Sequence, residues 1–174
     1  SSHAQHMPSH IFTRLGIWEE SIQSNIQSAE SARCYKQALD INDGFFEELH
    51  AIDYLVYAYL QQGDNKLAEE QYNAINSATA VHPLNVTAVM YPIAAIPARL
   101  TLENKNWKKA ANLQLQETGL DWEQYPWQKA IHHFARALGA AHTKDYRVSE
   151  EEIKILTKLH QNMVAKNDRS ISIQ

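Results

Sequence analysis

One layout recurs four times along this chain and limits what it can fold into. A turn residue is followed two positions later by a bulky or polar side chain, and five positions later by a small one. Gly16-Ile17-Trp18 with Ser21 is the first instance, Gly63-Asp64-Asn65 with Ala68 the second, Lys105-Asn106-Trp107 with Ala110 the third, and Lys144-Asp145-Tyr146 with Ser149 the fourth. A glycine suits the left-handed backbone that ends a helix, and a small residue one turn into the next helix lets the two helices approach. Each instance therefore reads as the tip of a helical hairpin. The four turns stand 47, 42 and 39 residues apart, a loose period. Such units stack in sequence order because one hairpin alone leaves an apolar face uncovered.

The rest of the chain agrees with an all-α reading. Five glycines and five prolines in 174 residues, with no alternating Val/Thr/Tyr runs, leave little room for strands. The breakers place helices at about residues 3–15, 18–39, 45–62, 66–78, 85–103, 107–116, 126–142 and 149–166. Asn42-Asp43-Gly44 closes the second, Pro92 and Pro97 interrupt or kink the fifth, and residues 167–174 fray. The hairpins are then about 3–39, 45–78, 85–116 and 126–166, in a single domain. With 44% hydrophobic and 21% charged residues the chain has enough apolar material for one real core. A net charge of -4 with no basic patch argues against general nucleic-acid binding, and no apolar run approaches the roughly 18 residues of a membrane helix. Cys34 is alone and leaves the compartment open, cytoplasmic or exported. The chain starts without methionine, which predicts a piece of something longer.

The repeated layout resembles tetratricopeptide (TPR) repeats, paired antiparallel helices of about 34 residues stacked into a superhelix. Gly63, Ala68 and Tyr72 carry the resemblance best; the lysines at two turns and the longer spacings depart from it. Two blocks, His6-Met-Pro-Ser-His-Ile-Phe-Thr-Arg-Leu-Gly16 and Asp53-Tyr-Leu-Val-Tyr-Ala-Tyr-Leu-Gln61, are similar to the C-terminal part of a family of long bacterial multi-repeat proteins, often exported. The resemblance implies a right-handed α-α superhelix of about four hairpins that binds a peptide or protein in its concave groove. It also implies that neighbouring repeats or a second copy cover its ends.

In that register the first helix of each pair lines the groove. The first hairpin offers His3, His6, His10, Thr13 and Arg14, and the second His50, Asp53, Tyr57, Leu60 and Gln61. Arg99 comes from the third, while the groove side of the fourth is mostly apolar apart from His142. The polar ligand types thus gather on the first two hairpins. His6 and His10 have the i, i+4 spacing by which a helix offers two imidazoles to one metal such as zinc, with His50 or Asp53 of the neighbouring helix as further donors. His3 stands about 10 Å along the axis from His10 and does not share an ion with it easily. Pro8, between the pair, removes a backbone donor and threatens to turn His6 off the face. The reading that comes first is that these histidines pack and hydrogen-bond in a polar groove; a metal site, structural or hydrolytic, is the alternative. Arg14 and Arg99 suit carboxylate or phosphate, with surface ion pairs as their plainer role. His132 and His133 are adjacent, so about 100° apart on a helix, and poorly placed to chelate together. No nucleophile elbow, phosphate loop, paired-cysteine motif or His-Glu-x-x-His occurs, so no catalytic residue is assigned.

Overall fold

The computed structural model describes residues 1–41, 44–76, 81–82, 87–117, 119 and 121–166. Among these, the helices are α1 (Ser2–His6), α2 (Ser9–Leu15), α3 (Trp18–Ala38), α4 (Phe46–Gln61), α5 (Asn65–Asn76), α6 (Thr87–Glu103), α7 (Trp107–Ala111), α8 (Pro126–His142) and α9 (Tyr146–Ala165), with one 3₁₀ turn at Trp122–Gln124. The described residues are all-helical apart from one feature that the sequence does not announce. Gly44–Phe45 (β1) and Val81–His82 (β2) pair in parallel over two residues. The Asn42-Asp43 part of the expected turn and the tail from Asn167 lie outside the described residues.

The four turns share one backbone geometry. Gly16, Gly63, Lys105 and Lys144 all have positive φ, at 71°, 78°, 51° and 64°. In each, the amide of the next residue donates to the carbonyl five residues back: Ile17 to Phe12, Asp64 to Tyr59, Asn106 to Thr101 and Asp145 to Ala140, at 2.8–2.9 Å. This bond satisfies a carbonyl that the helix end would otherwise leave open. The small residues five positions on, Ser21, Ala68, Ala110 and Ser149, are all buried. Two lysines thus occupy the strained position that glycine fills in the other two turns.

Three helix boundaries differ from the sequence expectation. The first helix is two, α1 and α2, because Pro8 has no N–H to continue the ladder. The fifth is not interrupted, since α6 runs through Pro92 and Pro97 to Glu103. The sixth, α7, stops at Ala111 rather than near residue 116. Side chains there take the carbonyls that a longer helix would use: Asn112 donates to the Lys108 carbonyl at 2.8 Å, Arg136 to that of Leu113 at 2.7 Å, and the Trp122 indole to that of Gln116 at 3.1 Å.

Two compact units divide the chain, the first built mainly from Ser1–Ile96, the second from Pro97–Gln116 and the chain from Asp121 onward. In the first, α1 and α2 pack on α3, α3 packs along α4, and α5 packs on α4. Ile22, Leu49, Ile52, Leu55 and Val56 are buried there, and the burial of such side chains stabilises by about 1.5–3 kcal/mol each. The face that α3 turns to α1 is polar instead: Ser21, Asn25 and Ser28 are all buried. Ser2 and Ser28 exchange hydroxyl-to-carbonyl bonds of 3.0 and 2.9 Å, which keeps that contact satisfied.

In the second unit α7 packs on α8 and α8 on α9. Ala135, Ala137, Ala140, Leu159 and Met163 are buried there. A buried ion pair crosses α8 and α9. Glu152 accepts from Arg136 Nε at 2.6 Å and pairs with His133 Nδ1 at 2.5 Å. Despite the desolvation cost of burial, those two bonds hold its carboxyl below the usual range.

Candidate metal centre

Met7 and Pro8 keep right-handed helical dihedrals, φ/ψ of -51°/-40° and -61°/-27°. Pro8 therefore interrupts the i→i−4 ladder, with His10 and Ile11 bonding three residues back to Met7 and Pro8, while the backbone stays in the right-handed helical region. Met7 still donates to the His3 carbonyl at 3.1 Å and Ile11 to that of Pro8 at 3.0 Å. His10 consequently sits one turn above His6 on the same face, and their Nε2 atoms are 3.1 Å apart.

His50, on α4, completes the group. Its ring centre lies 4.2 Å from that of His6 and 6.2 Å from that of His10. One nitrogen from each of His6, His10 and His50 lies within 4.8 Å of the other two. Imidazoles bound at about 2.0–2.1 Å to a tetrahedral zinc-type ion place their nitrogens about 3.4 Å apart. The separations in the group, 3.1 Å between His6 and His10 and at most 4.8 Å overall, bracket that spacing.

Their surroundings fix how the rings point. Asn25 Oδ1 lies 2.7 Å from His6 Nδ1, while the same amide donates from Nδ2 to the Ser21 carbonyl at 2.7 Å. The Tyr54 hydroxyl lies 2.7 Å from His10 Nδ1. Phe46 stacks on His50 with ring centres 5.7 Å apart. His6 is 1% exposed, and that burial, with further contributions from nearby histidines, pushes its pKa down to about 4 against the opposing pull of Asn25. Burial, then His10 and His3, also lowers that of His50. Burial thus favours the neutral form of both rings, the form that binds metal.

The other groove residues fall elsewhere. Asp53 is buried but is not among the groups that converge with the histidines. His3 is exposed, its ring centre 6.3 Å from that of His6. Thr13 is turned into its own hairpin, its hydroxyl 3.1 Å from that of Ser21. Arg14 is exposed, Tyr57 lies edge-on to Trp18 at 5.6 Å, and Arg99 is half-buried on the part of α6 that belongs to the second unit. Sequence reasoning missed two residues that orient the histidines. Tyr54 carries a signal, since it stands one turn after His50 on α4. Asn25 carries a fainter one as part of the polar stripe Ser21, Asn25, Ser28.

Compared with known proteins, the chain matches no family model, no curated protein and no solved structure.

Proposed function

We propose that this chain is a segment of a TPR-like helical-repeat scaffold whose first hairpins hold one divalent transition metal of the zinc type on His6, His10 and His50. The observation that carries this reading is the convergence of three imidazole nitrogens within 4.8 Å. Two of them come from one helical face and the third from a separate helix. An all-imidazole donor set suits zinc, copper or nickel rather than calcium or magnesium, which prefer oxygen. Asn25 Oδ1 and Tyr54 Oη stand 2.7 Å from the outward nitrogens, where a metal-bound imidazole needs an acceptor for its other N–H.

The repeat frame supports a partner role beside the metal, for a peptide or protein bound along the stacked hairpins. Four turns of one geometry, each with a buried small residue after it, favour that frame. Metal titration of tag-free protein followed by calorimetry tests the metal reading. The expected result is one zinc-type ion per chain in the wild type and none in His10→Ala. Equal uptake by both proteins would sink the assignment.

A further inference from the structure

We propose that Tyr54 gates the three-histidine centre: when an ion displaces the His10 N–H from Nε2, which faces His6, to Nδ1, which faces Tyr54, the hydroxyl turns from donating to accepting. The inference rests on the metal reading above and names the residue that makes the centre loadable.

The hydrogen positions follow link by link from Asn25. Its Nδ2 donates to the Ser21 carbonyl, so its Oδ1 accepts, and the hydrogen between Asn25 and His6 belongs to His6 Nδ1. With one N–H per ring, His6 Nε2 then presents a lone pair. That lone pair faces His10 Nε2 at 3.1 Å. Two lone pairs do not face each other at hydrogen-bond distance without a hydrogen or a cation between them. In the metal-free centre the hydrogen is therefore on His10 Nε2. His10 Nδ1 is left as an acceptor, and the Tyr54 O–H, 2.7 Å away, donates to it.

A metal ion takes the place of the hydrogen between His6 and His10. His10 Nε2 must then be bare, and the ring carries its hydrogen on Nδ1 instead. Tyr54 Oη, already at 2.7 Å, accepts it once the hydroxyl has turned away. One proton leaves Nε2 for water and one arrives at Nδ1 from water, so the proton count of the centre is unchanged and no electron moves. In the empty centre His6 and Tyr54 already hold the ring at its two nitrogens. In the loaded centre Tyr54 stands where the new N–H points. Tyr54 is thus a positioning residue: it keeps the His10 ring aimed at the place of the ion in both forms.

Nuclear magnetic resonance of ¹⁵N-histidine-labelled protein tests the gate directly. In metal-free wild type the His10 hydrogen is expected on Nε2 and that of His6 on Nδ1; after zinc is added, both are expected on Nδ1. Competition with a chelating dye should show zinc bound roughly ten- to a hundredfold more weakly by Tyr54→Phe, with an unchanged circular dichroism spectrum. A His10 hydrogen on Nδ1 before metal is added would overturn the gate. So would a Tyr54→Phe affinity within threefold of wild type. With zinc bound by the wild type, either result leaves the metal centre standing. Failure of the wild type to take up zinc overturns the centre and the gate together.

Discussion

Gly139→Ala sets two effects of opposite sign against each other. Gly139 sits inside α8, where alanine is favoured over glycine by up to about 1 kcal/mol through helix propensity. By that measure alone the substitution stabilises. However, a Cβ built on Gly139 would lie 2.7 Å from the Trp107 carbonyl oxygen and 2.8 Å from Ala110 Cβ, with the Ala111 amide nitrogen closer still. Carbon packs without repulsion at roughly 3.5–4.0 Å, so α7 would have to withdraw by about 1 Å. Two of the three obstructing atoms are backbone and cannot rotate aside.

Overpacking of this kind costs typically about 1–3 kcal/mol and occasionally more. Withdrawal of α7 also exposes Ala110, which is fully buried. Packing outweighs propensity, and the variant should lose about 2 kcal/mol. In a chain of this size that lowers the melting temperature by roughly 4–8 °C. Urea denaturation followed by circular dichroism measures it. A Gly139→Ala protein as stable as wild type, or more so, would refute the close approach of α7 to α8.

Other substitutions read the turns and the buried ionisable groups. Lys144 has φ of 64°, so Lys144→Gly should stabilise by about 0.5–1 kcal/mol by relieving left-handed strain. Urea midpoints compare the two proteins, and a destabilised variant would contradict the strain. His132 is 7% exposed, and its pKa is pushed down to about 4 by burial first and then by His133, Arg136 and Lys129, with Glu152 opposing. The unfolded chain takes up that proton near 6.5 and the folded one only near 4, so stability falls as pH drops through this window, by about 3 kcal/mol at most. His132→Gln should therefore have a flatter urea midpoint between pH 6.5 and 4 than the wild type. Parallel profiles would show that His132 is not buried neutral.

The four turns were legible because a left-handed helix end needs a specific conformation at a fixed offset before the next small buried residue. Two of them carry lysine, which does not announce positive φ as glycine does, and were legible from the offset to the small residue alone. The His6/His10 pair was legible from its spacing. Pro8 looked like an obstacle, yet a break in the ladder whose residues keep helical dihedrals still leaves His6 and His10 on one side. The place of Asp53 was harder to read, because residues three and four after His50 fall on opposite sides of its direction on the helix. It is Tyr54, at four, that turns toward His10. Asn25 was hidden in a helix of low hydrophobicity, where a buried polar stripe looks like a solvent face until α1 is laid on it. The early end of α7 rests on Arg136 and Trp122, partners too far along the sequence for local pattern to reveal.

Zinc uptake measured by equilibrium dialysis and elemental analysis, on tag-free wild type and on His10→Ala and His50→Ala, tests the central claim most directly. Both substituted residues are half-buried, so the fold should survive in each. The account predicts one ion per chain in the wild type and loss of it in both variants, because each removes one of three donors from different helices. Full uptake by His50→Ala and His10→Ala, or none by the wild type near pH 7, would contradict it.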